Sequence, residues 1–391
     1  MTPPGTPVRV LLVDDSAVIR RFVSETLERE PDITVAATAA NGRIALEKIA
    51  SDLPDVVVLD IEMPVLDGLE TLRALRPRWP DLPVVMYSTL TSRGATATLD
   101  ALSAGATDYV LKPSHLGDAD AARRAVRDEL APVLRSWGTY QRTRSVAARR
   151  RPEGAGAVGI ASRTSTGMTS LDQSAARLGS TVTIAAETRP RRAARPEAVV
   201  IGSSTGGPQA LTELVPRLPA NLGVPVLVVQ HMPPLFTRLL AERLDARSAL
   251  HVVEAAPGME VLPGTVYIAA GGTHLVVRRQ GTALVTAIDD GPPENSCKPS
   301  VDVLFRSASH AFGPHVLAVV LTGMGQDGLE GARVIQSGGG VVYAQDEPSS
   351  VVWGMPGAVV RAGIAREILE LSDIAPAIAR ALARPLSEVH A

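Results

Sequence analysis

Apolar residues in this chain gather in short, near-continuous runs, each followed by a stretch whose apolar spacing suits a helix. The first run, V-R-V-L-L-V from Val8, ends in Asp14 and Asp15 and leads into a helical stretch reaching about Arg29. Strand-like Thr34 to Ala39, helical Gly42 to Ser51 and apolar Asp55 to Leu59 follow. Val84 to Tyr87 and Asp108 to Leu111 complete five strands, and Ala119 to Leu134 reads as the closing helix. Short strands alternating with helices predict a doubly wound parallel sheet whose strand carboxyl ends converge on one crevice.

The periodicity fades between residues 136 and 195. This stretch is rich in Arg, Ala, Ser, Thr and Gly, with about eleven arginines against three acidic residues. It reads as a flexible linker, because too little apolar surface is on offer to offset the entropy of ordering it. A basic arm for nucleic acid is the alternative, but only Trp137 and Tyr140 interleave as aromatics.

From residue 196 the alternation resumes. Val199 to Ile201 breaks into Gly202-Ser203-Ser204-Thr205-Gly206-Gly207, and a helical segment runs from Gln209 to Leu218. The strand Pro225 to Val229 runs into Gln230-His231-Met232-Pro233, and Leu317 to Leu321 runs into T-G-M-G-Q-D-G, ending at Gly328. The pattern therefore divides the chain into α/β domains at 7–135 and 196–385, both doubly wound parallel sheets, the second larger and Rossmann-like.

Composition narrows the function. Net charge is −2, the single cysteine is Cys297, and no apolar run approaches the length of a membrane span. A disulfide framework or cysteine-based zinc site is excluded. No nucleic-acid partner or membrane insertion is expected, and an N-terminus without signal-peptide features points to the cytoplasm.

The candidate chemistry sits at strand ends. In the first domain Asp14, Asp15, Asp60, Ser88 and Lys112 converge. Three carboxylates at close quarters call for a hard divalent cation, and Mg²⁺ suits an all-oxygen site that handles phosphate. Asp60 then reads as a phosphate-accepting nucleophile, with Lys112 and Ser88 engaging phosphoryl oxygens. In the second domain a serine, a histidine and an aspartate (Ser203 or Ser204, His231, Asp327) occupy three strand ends, the combination needed for nucleophilic acyl transfer. His274 is a second candidate base. Spacing does not separate the two serines.

These motifs carry a resemblance. Residues 8 to about 130, with the acidic pair, the D-x-x-M-P-x-x-D-G segment at Asp60 and Y-V-L-K-P, resemble a two-component response-regulator receiver domain. Asp60 stands at the phosphoacceptor position and Tyr109 at that of the switch aromatic. Residues 198 to about 370, with I-G-S-S-T-G-G, Q-H-M-P, K-P-S-V-D-V-L-F and L-T-G-M-G-Q-D-G, resemble the catalytic domain of the chemotaxis protein-glutamate methylesterase (CheB) family. The resemblance implies Ser204 as nucleophile, His231 as base and Asp327 as orienting acid. It puts Thr205 at the site and backbone N–H groups near His231 and Met324 at the oxyanion.

It further implies demethylation of glutamyl methyl esters on chemoreceptors, glutamine deamidation, and activation through a chemotaxis histidine kinase. The alternatives are the same chemistry on a non-chemotaxis receptor system, a non-catalytic receiver-linked ligand-binding module, and a DNA-binding regulator. The last lacks a helix-turn-helix pattern or basic stripe.

Overall fold

The computed structural model describes residues 6–113, 118–138 and 194–383. Most of the Arg-rich segment, including Tyr140, lies outside these residues. The first domain carries β1 (Val8–Val13), β2 (Ile33–Ala39), β3 (Val56–Asp60), β4 (Val84–Ser88) and β5 (Asp108–Leu111) in one parallel sheet of order β2-β1-β3-β4-β5. Helices α1 (Ala17–Leu27), α2 (Gly42–Ser51), α3 (Gly68–Leu75) and α4 (Ser92–Ser103) start where polar side chains satisfy the first-turn N–H groups. Asp67 and Glu70 form a reciprocal capping box at α3.

The closing helix extends beyond the expected boundary. It starts at Ala119, widens by one i→i+5 turn over Val126–Leu130 and continues to residue 138. Trp137, read from sequence as part of the linker, is 2% exposed and belongs to the same buried core cluster of the first domain as Val8, Val10 and Leu134. One large aromatic in an otherwise polar window gives no period, so the pattern stopped short of it.

The second domain carries β6 (Ala198–Ser203), β7 (Val226–Gln230), β8 (His251–Glu254), β9 (Thr265–Ile268), β12 (Val316–Val320), β13 (Val341–Gln345) and β14 (Glu367–Leu369). They form one seven-stranded parallel sheet of order β14-β13-β12-β6-β7-β9-β8, with β12, β6 and β7 at its centre. Val199, Ile201, Val228 and Val319 fill the core on one face, while Val200, Leu227, Val229 and Val320 fill the other. Burial on both faces is why these strands read as unbroken apolar runs. An antiparallel hairpin, β10 (His274–Gln280) with β11 (Ala283–Asp289), packs outside the sheet, a departure from the all-parallel expectation.

The chain crosses from one side of β6 to the other, so β12, β6 and β7 lie side by side at a topological switch point. Their carboxyl ends face the first domain. Ala95 and Leu99 of α4 join the same apolar cluster as Phe236 and Leu240 of the second domain. Arg243 closes the contact, donating to Asp100 Oδ1 at 2.5 Å, Ser103 Oγ at 3.1 Å and the Thr96 carbonyl at 3.1 Å.

Candidate active site

The turn after β6 gives its two serines different fates. Ser203, the last strand residue, is fully buried, and its hydroxyl donates to Gln230 Oε1 at 2.7 Å. Ser204, the first residue past the strand, lines a cleft instead. Gly206, at φ +75°, turns the backbone from strand into the helix Gly207–Leu214, a conformation costly for a residue with a Cβ. Gly323 packs so closely that an added β-carbon would meet Ser204 Cβ at 2.9 Å. The Met324 turn therefore runs directly against Ser204.

His231, the first residue after β7, lies between two partners. Nε2 faces Asp327 Oδ2 at 2.8 Å and Nδ1 faces Cys297 Sγ at 3.4 Å. Its backbone N–H is committed to the Ser203 carbonyl at 3.1 Å, which removes that group as an oxyanion donor. Burial disfavours the charged ring, but the hydrogen bonds that the ring donates to Asp327 and Cys297 outweigh it and push the pKa up to about 9.

Asp327 is 2% exposed and sits at the N-terminus of the twelve-residue helix Val301–Phe312. It accepts from Val301 N–H at 2.7 Å, Ser300 Oγ at 2.8 Å, Gly328 N–H at 3.0 Å, Asn295 Nδ2 at 3.0 Å and Asp302 N–H at 3.1 Å. Burial alone would raise its pKa. The bond and charge of His231, followed by the helix N–H groups, hold it far below the usual carboxylate range. The sequence placed Ser204, His231 and Asp327 on three strand ends, and the fold brings them to adjacent strands. His274 lies apart in role. It is 2% exposed, with Nδ1 accepting from Ser300 N–H at 3.1 Å and Nε2 facing the Pro292 carbonyl at 3.0 Å, so both nitrogens serve the structure.

The cleft at Ser204 holds about 280 Å³ and is walled by both domains. Ser204, Thr205 and His231 line one side, and Asp108, Tyr109 and Glu129 of the first domain line the other. Tyr109 stacks on Phe236 with ring centroids 4.8 Å apart. Asp108, buried, accepts from Gly206 N–H at 3.3 Å within the serine turn itself. Burial raises its pKa to about 6 against the hydrogen bonds it accepts from Tyr109 N–H, Trp137 Nε1–H and Gly206 N–H. Neither contact was visible in the sequence, because no local pattern marks which residues of two separate domains will meet.

The second cluster lies at the carboxyl ends of β1, β3 and β5. Asp14, Asp15 and Asp60 each offer a carboxylate oxygen within 4.8 Å of one another. Lys112 Nζ lies 2.7 Å from both Asp14 Oδ2 and Asp60 Oδ2, in the Asp14 case off the hydrogen-bond direction. Burial first, and then the charge of Asp14, raise Asp60 to about 6 despite Lys112. One ammonium against three carboxylates leaves a net negative, all-oxygen site with Asp15 open to solvent, a donor set that fits a hydrated Mg²⁺. Ser88, 1% exposed, points toward α4, where Thr98 Oγ1 donates to its hydroxyl at 2.8 Å.

A serine turn, a histidine and a carboxylate at the switch point of a parallel sheet, with a phosphoacceptor-type domain docked over them, define the class: an α/β serine hydrolase joined to a receiver. The CheB methylesterase family model matches residues 199–378, and the response regulator receiver domain model matches residues 10–123. A protein-glutamate methylesterase/protein-glutamine glutaminase of a Nocardioides species is 50% identical over 97% of this chain and 96% of its own length. One from Trichodesmium erythraeum is 42% identical over 95% and 98%. The crystal structure of the Thermotoga maritima CheB methylesterase catalytic domain is 43% identical, covering 47% of this chain and 98% of that one, with a TM-score of 0.47. The chain belongs to the CheB family of receiver-linked methylesterases.

Proposed function

We propose that this protein is a phosphorylation-activated serine esterase that hydrolyses glutamyl methyl esters on chemoreceptors to glutamate and methanol, and more slowly deamidates receptor glutamines. Ser204 Oγ attacks the ester carbonyl and its proton passes to His231 Nδ1. That proton then goes to the departing methoxide, and water repeats the sequence on the acyl-enzyme. Asp327 holds Nε2–H and stabilises the imidazolium. Thr205 borders the reacting carbonyl, and the Met324 backbone N–H is the donor for its oxyanion. Methanol leaves with little assistance, whereas an amide nitrogen needs a full proton from His231, which is why deamidation is the slower reaction.

The observation that carries the regulatory half is the shared cleft. Asp108, Tyr109 and Glu129 of the receiver line the cleft opposite Ser204, Thr205 and His231, where they stand in the path of a receptor helix, which with its side chains is about 10–12 Å across. Asp60 accepts phosphate from a chemotaxis histidine kinase; Asp14, Asp15 and Asp60 would hold a Mg²⁺ ion, which would supply neutralising charge for the phosphoryl oxygens. Ser88 then turns from Thr98 of α4 toward the phosphoryl group, and Lys112 leaves its carboxylate partners. β5 carries this change to Asp108 and Tyr109, weakening the contact with Gly206 and Phe236.

None of the described helices is long and apolar enough to cross a membrane, in keeping with action on receptor segments from the cytoplasm. A serine-reactive phosphonate tests the chemistry. It should label wild type, more so after phosphodonor treatment, and should not label Ser204→Ala. Equal labelling of the two proteins would overturn the nucleophile assignment.

A further inference from the structure

The segment Glu294–Cys297 touches two members of the triad and belongs to none of the strands that carry them. Glu294 and Cys297 exchange backbone hydrogen bonds, N–H to carbonyl, at 3.1 and 2.9 Å. The two residues between them are left-handed, with Asn295 at φ 53° and Ser296 at φ 62°. This is the geometry of a two-residue primed turn, in which asparagine is well tolerated. Arg306 anchors it with two bonds to the Glu294 carboxylate at 2.8 and 2.6 Å.

From this fixed turn, Asn295 Nδ2 reaches Asp327 Oδ1 at 3.0 Å and Asp302 Oδ2 at 2.9 Å. An amide nitrogen has two protons, and here each goes to a different carboxylate. That arrangement lets two buried aspartates sit side by side. Two residues on, Cys297 Sγ lies 3.4 Å from His231 Nδ1, the nitrogen opposite the Asp327 bond.

We propose that the Glu294–Cys297 turn is a positioning element of the esterase triad, with Asn295 fixing the acid Asp327 and Cys297 holding the imidazole of His231 at Nδ1 until Ser204 takes that place. The proposal rests on the reading of Ser204, His231 and Asp327 as the catalytic set. Among described residues Ser204 Oγ makes no hydrogen bond in the docked form, so Cys297 is the ring's partner on that side. The charged and titratable groups around the ring are Asp327 and Cys297 in contact, Asp302, Glu294 and Arg306 behind them, and Asp108, Tyr109 and Glu129 across the cleft.

The test is the titration of His231 by NMR in the full-length protein with labelled histidine, the signal assigned with His231→Gln. Asn295→Asp keeps the turn, since aspartate also tolerates a left-handed backbone, but replaces two donors with a third carboxylate. The titration should move up by on the order of one pH unit. Cys297→Ala removes the sulfur that accepts from the charged ring, so the titration should move down. The rising limb of the pH–rate profile should follow in both variants, and Asn295→Ala should lower kcat about tenfold or more with KM within about twofold. Opposite shifts at unchanged melting temperature support the proposal, and a titration unmoved in both variants overturns it. The NMR result stands whether or not methanol is released, so failure of the esterase reading and failure of the positioning role remain distinguishable.

Discussion

Tyr109 of the receiver lies flat on Phe236 of the catalytic domain, with ring centroids 4.8 Å apart and planes within 7° of parallel. Tyr109 is three residues before Lys112 on the strand that leads to the phosphoacceptor cluster, and Phe236 opens the helix Phe236–Asp245 that follows the His231 loop. The pair therefore joins the two sites through one short strand and one loop. An aromatic pair of this kind contributes about 0.5–1.5 kcal/mol beyond its buried area. Removing it with Tyr109→Ala should raise basal methanol release without phosphodonor by several-fold. Unchanged basal release would mean that the stack does not hold the domains together.

The neighbouring residue supplies a pH test. Asp108 is raised from 3.8 to about 6, so the folded, docked state binds its proton more tightly than the unfolded chain. Stability from this group is fully present below about pH 3.8 and is lost as pH rises through about 6. The loss is on the order of 3 kcal/mol. Across pH 4 to 6.5 the melting temperature of wild type should fall relative to that of Asp108→Asn. Parallel curves for the two proteins would contradict the buried-carboxyl account.

His231 offers the opposite sign. Raised to about 9 in the docked chain, the ring is mostly protonated at neutral pH and cannot accept the Ser204 proton. Basal ester hydrolysis should rise about tenfold per pH unit up to about pH 9 and then level off. A plateau already reached at pH 7 would show that the base is not held in its charged form.

The three carboxylates predict how activation depends on metal. Chelation of divalent ions should abolish stimulation by acetyl phosphate while leaving basal hydrolysis within about twofold, because the esterase cleft draws no ligand from Asp14, Asp15 or Asp60. Loss of basal activity on chelation would place a metal in the esterase step as well.

Much of this arrangement was legible because period and strand ends are local properties. Asp14, Asp60, Lys112, His231 and Asp327 follow apolar runs, and parallel packing of those runs dictates where their ends meet. The choice between Ser203 and Ser204 was not legible from spacing. It depends on the single residue at which β6 stops, with Ser203 bonding inward to Gln230 and Ser204 stepping into the cleft. Asn295 and Cys297 gave no signal, because their turn uses left-handed non-glycine residues and acts on groups far along the chain. Trp137 and the Asp108–Gly206 contact were missed for a related reason, since each is defined only by what packs against it.

Methanol release from methylated receptor membranes, with and without acetyl phosphate, is the most direct test of the account. Wild type should be stimulated by the phosphodonor, Asp60→Ala should retain basal release without stimulation, and Ser204→Ala should fall by at least about a thousandfold. Release by Ser204→Ala at the wild-type rate, or equal stimulation of wild type and Asp60→Ala, would contradict it.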